Sequence, residues 1–242
     1  MSAPPPRSSL AVLLCDADGN LFPSEEPAFV ASSDVTNRLL EQLSLKVRFT
    51  PRELRLRALG RNFRATAADI AAEHGLTLEA GELEPWVAEE KAHVTSYLGT
   101  VLAPDPQVRD PLTRLSRGLS LAAVSSSALS RLDACFRATG LDLLFPPEVR
   151  FSAEDSLPRA TTKPDPAIYL HALEELRVEP HRALAVEDSP AGVRSAVAAG
   201  IGTVGNLVFA PAEERSARRS ELLEAGAETV VDSWTQLEEL LG

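Results

Sequence analysis

A chain of 242 residues is long enough for one sizeable core and leaves room for a second, smaller domain. With 44% hydrophobic and 24% charged residues it has the balance of an ordinary globular protein, and no apolar run approaches the length of a membrane-spanning helix. A formal charge of -11 argues against nucleic acid or an anionic membrane as partner, whereas a phosphorylated ligand stays admissible because a bound cation can reverse the field locally.

Residues 1–9 are rich in Pro and Ser, carry one arginine and lack the apolar stretch of a signal peptide, so a flexible tail is expected there. Residues 10–15 (LAVLLC) form a short continuous apolar run, the pattern of a strand buried on both faces of a parallel sheet. The polar turn Asp16-Ala17-Asp18-Gly19-Asn20 follows at once. A helical block comes next. Asp34 is a good N-cap for apolar positions Val35, Leu39, Leu40 and Leu43. Thr50-Pro51-Arg52-Glu53 combines a capping box with Pro at the first helical position. Residues 67–75 end in a glycine suited to a C-cap, and residues 84–97 give a further helix starting near Pro85. Strand character returns at 119–124, and again at 149–152, 183–187, 201–205 and 229–231, with helices predicted over 128–139, 166–176, 191–199 and 233–241. Strands alternating with helices imply βαβ units and a doubly wound parallel sheet; the long helical block between the first two strands reads as an inserted domain. Cys15 and Cys135 fit neither a metal-ligand spacing nor a disulfide framework, which points to a reducing cytoplasm.

Four polar clusters follow four of these apolar runs, where an open α/β sheet binds its ligands. Asp16 and Asp18 could share one site, one attacking phosphorus and the other moving a proton, or could simply close a strand in an Asx turn. Ser125, Ser126 and Ser127 could bind phosphate at a helix start or serve as caps. Lys163, one of three lysines beside Lys46 and Lys91, stands before Pro164 and could neutralise a phosphoryl group, or be a solvated loop lysine. Glu187 and Asp188 offer hard oxygen ligands suited to Mg²⁺, or a helix cap. As a set they supply nucleophile, phosphate donors, cation and metal ligands at one edge of one sheet.

Through DADGNLF, VSSS, KPDPAIYLHAL and AVEDSPAGVRSAVAAG, the sequence resembles the haloacid dehalogenase-like hydrolase superfamily. It is most similar to the branch with a helical cap after the first motif, which holds β-phosphoglucomutase-like and phosphoglycolate-phosphatase-like enzymes. The likeness runs from about residue 10 to the C-terminus. It implies an α/β fold, a doubly wound parallel sheet (Rossmann-like core) with an inserted helical cap domain: core 10–23 and 104–242, cap 24–103. It further implies Asp16 as nucleophile and Asp18 as general acid/base. Ser125 and the Ser126 backbone would bind the phosphoryl group, and Lys163 would link nucleophile and phosphate. Mg²⁺ would be held by Asp16, the Asp18 carbonyl, Glu187 and Asp188. Gly19 serves the turn, and Asn20 stands where the family usually has Thr, able to hydrogen-bond locally beside the substrate. Arg61, Asn62 and Arg64, on an expected loop between cap helices, are implied substrate contacts. Pro23-Ser24-Glu25-Glu26 replaces the family's frequent Asp-Ser pair. Dehalogenase and phosphonate-cleaving members lack the second acid, and the resembling mutases use a hinge histidine where this chain has Ala28. The expectation is therefore a Mg²⁺-dependent phosphatase of a small phosphorylated metabolite, monomeric or weakly dimeric. A phosphosugar mutase and a non-catalytic phospholigand-binding protein are the alternatives.

Overall fold

The computed structural model of the protein describes residues 9–58 and 62–242. The expected 1–9 tail thus lies, but for Ser9, outside the described residues, as does Arg61. The chain forms two compact units, one reaching Pro23 and resuming over Leu102–Gly242, the other spanning Ser24–Val101.

In the first unit the apolar runs become six parallel strands: β1 (Val12–Cys15), β2 (Ser120–Ser125), β3 (Arg150–Ser152), β4 (Ala183–Glu187), β5 (Gly202–Asn206) and β6 (Thr229–Val231). Their order across the sheet is β3-β2-β1-β4-β5-β6. From β1 the chain winds one way through β2 and β3, then returns past β1 to build β4, β5 and β6 on the other side. The reversal at β1 is the switch point at which such sheets open a crevice beyond their carboxyl ends. Register places Cys15 beside both Ala123 and Val186, so the residues just after β1 and β4 emerge together. Val12, Leu14, Ala122 and Val124 pack with Ile168, Tyr169 and Ala172 on one face. Leu13 and Cys15, pointing the other way, are equally buried, which is why the first run is continuous rather than alternating.

The sheet is flanked by α5 (Pro106–Leu115), α6 (Leu129–Thr139), α7 (Ala167–Leu176), α8 (Pro190–Ala198), α9 (Arg215–Ala225) and α10 (Trp234–Leu241), numbered after the four helices of the second unit. Asp105, Ser189 and Ser233 cap α5, α8 and α10 by accepting backbone N–H bonds from Gln107, Gly192 and Gln236. Two of these helices were not expected. Pro111 interrupts the pattern of α5, and α9 fully buries only Leu222 along a charged sequence.

The second unit consists of α1 (Glu25–Gln42), α2 (Pro51–Arg57), α3 (Phe63–Glu73) and α4 (Ala80–Val101). The capping box at Thr50 and Glu53 forms as expected. Asp34, expected to start a helix, lies inside α1, which begins nine residues earlier with Glu25 and Glu26 favouring the positive end of the helix dipole. Helix α4 extends beyond 84–97 at both ends and carries Pro85 within it. Two apolar clusters hold the unit, one around Leu39, Ala67 and Leu83 with half-buried Trp86, the other around Leu40, Leu54 and Ile70. Asn37 clasps the connection after α1, donating to the Phe49 carbonyl at 2.9 Å and accepting its N–H at 2.8 Å.

Trp234 is among the largest fully buried side chains of the first unit, and its indole N–H donates to the Asn20 carbonyl at 3.0 Å, tying α10 to the turn after β1. Trp234→Ala is expected to destabilise the protein by about 3–5 kcal/mol and Trp234→Phe by less, read as shifts of the urea midpoint followed by circular dichroism.

Candidate active site

The turn after β1 is built by backbone bonds from Leu21 N–H to the Ala17 carbonyl and from Gly19 N–H to the Phe22 carbonyl, with Gly19 at φ 80°. Only glycine adopts this conformation easily, and a second constraint acts on the same atom: a Cβ at Gly19 would collide with the Asp188 carboxylate. The turn is thus folded tightly against the loop after β4. Asn20 completes the attachment. Its amide donates to the Asp16 and Val186 carbonyls, each at 3.0 Å, and its Oδ1 accepts from Asn206 at 2.9 Å. Fully buried and committed to these three bonds, Asn20 holds the turn; the substrate contact expected of it is corrected, because no donor or acceptor faces outward.

Lys163 lies at the centre of the carboxyl edge. Its Nζ donates to Asp16 Oδ1 at 2.6 Å, Glu187 Oε1 at 2.6 Å and the Val124 carbonyl at 2.7 Å. Burial pulls the Lys163 ammonium toward neutrality, but Asp16 and Glu187 more than offset it, and its pKa stands above the ordinary lysine value. Tyr169, buried in α7, donates its hydroxyl to the same Glu187 Oε1 at 2.5 Å. Glu187 is wholly buried, and its Oε2 has no hydrogen-bond partner. Gly192 of α8 packs so closely on this carboxylate that any Cβ there would overlap it.

Asp16, Glu187 and Asp188 each bring a carboxylate oxygen within 4.8 Å of the others. Burial pushes Asp16 up to about 7; Lys163 opposes the rise, and Glu187 and Asp18 add to it. Burial, Asp16 and Glu187 likewise raise Asp188 well above the usual carboxylate range, with Arg218 and Lys163 opposing. One ammonium balances one of three clustered carboxylates. The unpaired Glu187 oxygen, the all-oxygen donor set and the two uncompensated charges fit a divalent cation.

The three serines after β2 have separate partners. Ser125 Oγ accepts the Ser127 N–H at 3.0 Å, and Ser126 Oγ accepts the Lys163 N–H at 3.1 Å. Ser127 Oγ donates to Asp18 Oδ2 at 2.7 Å, while Arg131 in α6 donates to Asp18 Oδ1 at 2.8 Å. The structure therefore brings together Asp16, Asp18, Gly19, Ser125, Ser126, Lys163, Glu187 and Asp188. Asn62 and Arg64 belong to the second unit and are not on a loop there: Asn62 caps α3 through the Ala65 N–H, and Arg64, in its first turn, is ion-paired with Glu84. Sequence reasoning passed over Arg131, Tyr169, Gly192 and Asn206, and took Ser127 for a phosphate ligand or cap without its bond to Asp18. Tyr169 and Gly192 lie inside quoted motifs, where a polar or minimal residue on an otherwise apolar helix face was the available signal.

The chain belongs to the haloacid dehalogenase-like hydrolase family, whose model matches residues 11–200. Among curated proteins it is 33% identical over 151 residues to a phosphorylated carbohydrates phosphatase of Thermotoga maritima, covering 60% of this chain and 62% of that one. It is also 33% identical over 141 residues to protein CbbY of Cereibacter sphaeroides, covering 57% and 56%. The match thus spans less than two-thirds of either relative. Among solved structures, a conserved haloacid dehalogenase-like protein from Agrobacterium tumefaciens aligns with a TM-score of 0.72 and 27% identity over 96% of this chain and 97% of that one.

A carboxylate held above its ordinary pKa stabilises the fold below that ordinary value and loses the contribution as pH rises; for Asp16 the loss runs from about 4 to about 7. Cation-free protein is expected to melt at a lower temperature near pH ~8 than near pH ~5, and added divalent cation to raise the midpoint more at the higher pH. Asp188→Asn should flatten both effects, and differential scanning fluorimetry reads them; a midpoint indifferent to cation at either pH contradicts the charge balance drawn above.

Proposed function

We propose that the protein is a Mg²⁺-dependent phosphatase that hydrolyses small phosphorylated metabolites, sugar phosphates foremost, through an aspartyl-phosphate on Asp16. The observation that carries this is the Lys163 ammonium bridging Asp16 and Glu187 beyond the carboxyl ends of β1 and β4, with Asp188 beside them. Family membership and the likeness to a named phosphorylated carbohydrates phosphatase support it.

In this reading the Asp16 carboxylate attacks phosphorus and the ester oxygen leaves with the bond's electron pair, taking a proton from Asp18. Water then attacks the phosphoryl group, gives a proton to Asp18, and the P–O electron pair returns to Asp16. Lys163 holds Asp16 in place and neutralises charge on the phosphoryl oxygens. Ser125 retains a hydroxyl proton to donate to one of those oxygens, since its Oγ is only an acceptor toward Ser127. Gly19 keeps Asp188 close to the turn. Asp16, Glu187, Asp188 and the Asp18 carbonyl would hold Mg²⁺, which supplies electrostatic stabilisation of the transferring group. Two free, buried cysteines suit a reducing cytoplasm as its compartment.

Release of p-nitrophenol from p-nitrophenyl phosphate is expected with Mg²⁺ and not after chelation. Asp16→Asn should lower kcat by about 10³-fold or more, and Lys163→Met should also abolish turnover. Full activity of Asp16→Asn would remove the assigned nucleophile. Conversion of a sugar phosphate without phosphate release, dependent on a bisphosphate activator, would move the assignment to a phosphosugar mutase.

A further inference from the structure

We propose that Ser127 and Arg131 form a clamp that orients Asp18 and designates its Oδ2 as the oxygen that carries the shuttled proton. The inference rests on the phosphatase reading and adds two positioning residues to it.

The clamp addresses both oxygens of one carboxylate. Arg131 Nη2 donates to Oδ1 at 2.8 Å and Ser127 Oγ to Oδ2 at 2.7 Å, so rotation about the carboxylate's own bond breaks both contacts. Each clamping group is itself fixed. Arg131 stands in the first turn of α6. The Ser127 backbone donates its N–H to Ser125 Oγ at 3.0 Å and accepts from Ser152 Oγ at 2.8 Å. Asp18 and Arg131 are each about a quarter exposed (24% and 24%), so the pair sits at the rim of the buried Lys163 cluster, where a substrate's leaving oxygen can reach it.

The two donors differ in kind. A guanidinium has no acceptor, so Oδ1 must remain a bare acceptor while Arg131 is bound. A hydroxyl both donates and accepts: Ser127 can donate to an ionised Oδ2 and, after turning about its C–O bond, accept from a protonated one until the ester oxygen replaces it as acceptor of that proton. Oδ2 is therefore the oxygen that tolerates both protonation states without losing a partner. In the first half-reaction the Oδ2 proton moves to the ester oxygen as that oxygen departs with the P–O electron pair. In the second, a proton of the attacking water moves to Oδ2 as the P–O pair returns to Asp16.

Misplacing a general acid harms esters with poor leaving groups most. Phenyl phosphate and p-nitrophenyl phosphate differ little in shape but strongly in leaving-group acidity, and kcat/KM reports only the steps through the first phosphoryl transfer. Arg131→Ala and Ser127→Ala are each expected to lower kcat/KM for phenyl phosphate by about 10- to 100-fold. For p-nitrophenyl phosphate the expected loss is less than about 3-fold, with KM for both esters little changed. Arg131→Lys, which keeps one charged donor, should recover part of the loss. Thermal midpoints are measured alongside; if Arg131→Ala does not fold, Ser127→Ala and Arg131→Lys decide. Equal losses on both esters, no loss on either, or a loss carried by KM alone would overturn the clamp. A wild type inactive on both esters with Mg²⁺ would instead remove the phosphatase reading, and the clamp with it.

Discussion

Three protons on one nitrogen organise this molecule. Lys163 donates to the side chain after β1, to the carbonyl near the end of β2 and to the last side chain of β4, so a single ammonium ties the three central strands at their carboxyl edge. Its donor capacity is then spent, which is the condition under which a buried charge is tolerated. The carboxylates need it equally. Asp16 and Glu187 emerge side by side because parallel register puts Cys15 against Val186, and burial with Glu187 beside it makes Asp16 resist ionisation. Lys163 opposes that resistance at Asp16 without cancelling it. The remaining negative charge makes the edge suited to a divalent cation.

The surrounding residues keep this charge arrangement from relaxing. Tyr169 takes a second bond to Glu187 Oε1 and lies close to Lys163, its ring centroid 5.2 Å from Nζ, so α7 holds both partners. Gly192 lets α8 approach the Glu187 carboxylate more closely than any side chain would permit, and Gly19 does the same for the turn beside Asp188. The chain Asn206–Asn20–Trp234 then fastens that turn to β5 and α10 with neutral hydrogen bonds. A charged site sits inside a neutral, fully bonded frame, and the frame can lose a member without leaving a buried charge unpaired.

Much of this was legible in the amino-acid order. The continuous run before Asp16 and the alternation after residue 119 specified a parallel sheet, because only a strand buried on both faces can be apolar throughout. The polar clusters were legible for the same reason: they interrupt apolar runs where a strand must end. What stayed hidden depended on partners distant in sequence or on helices with weak patterns. Arg131 looks like any helix arginine until Asp18, 113 residues away, is brought to it. Asn20 reads as a loop residue facing ligand, and its bonds to Val186 and Asn206, both distant in sequence, show it turned inward. Helix α1 began before the strongest cap signal, since Asp34 is as good a cap in composition as Ser24-Glu25-Glu26 is in fact a start. Helix α9 is held by one fully buried leucine, too little for periodicity to register.

Asp16 and Asp18 are separated by one residue, yet their surroundings are opposed, and the proposed mechanism divides the chemistry between them along that contrast. Asp16 is buried among other carboxylates with a single ammonium against it. The Asp18 side chain is 24% exposed against 10% for Asp16, and is met by a guanidinium on one oxygen and a rotatable hydroxyl on the other. A rotor that can reverse its hydrogen bond is useful only to a group whose protonation alternates. In the proposed mechanism the Lys163 ammonium offsets part of the rise that burial imposes on Asp16 and so favours the ionised carboxylate that attacks phosphorus. The spacing Asp-x-Asp thus suits the proposed division of roles because the turn at Gly19 sends its two carboxylates to different partners.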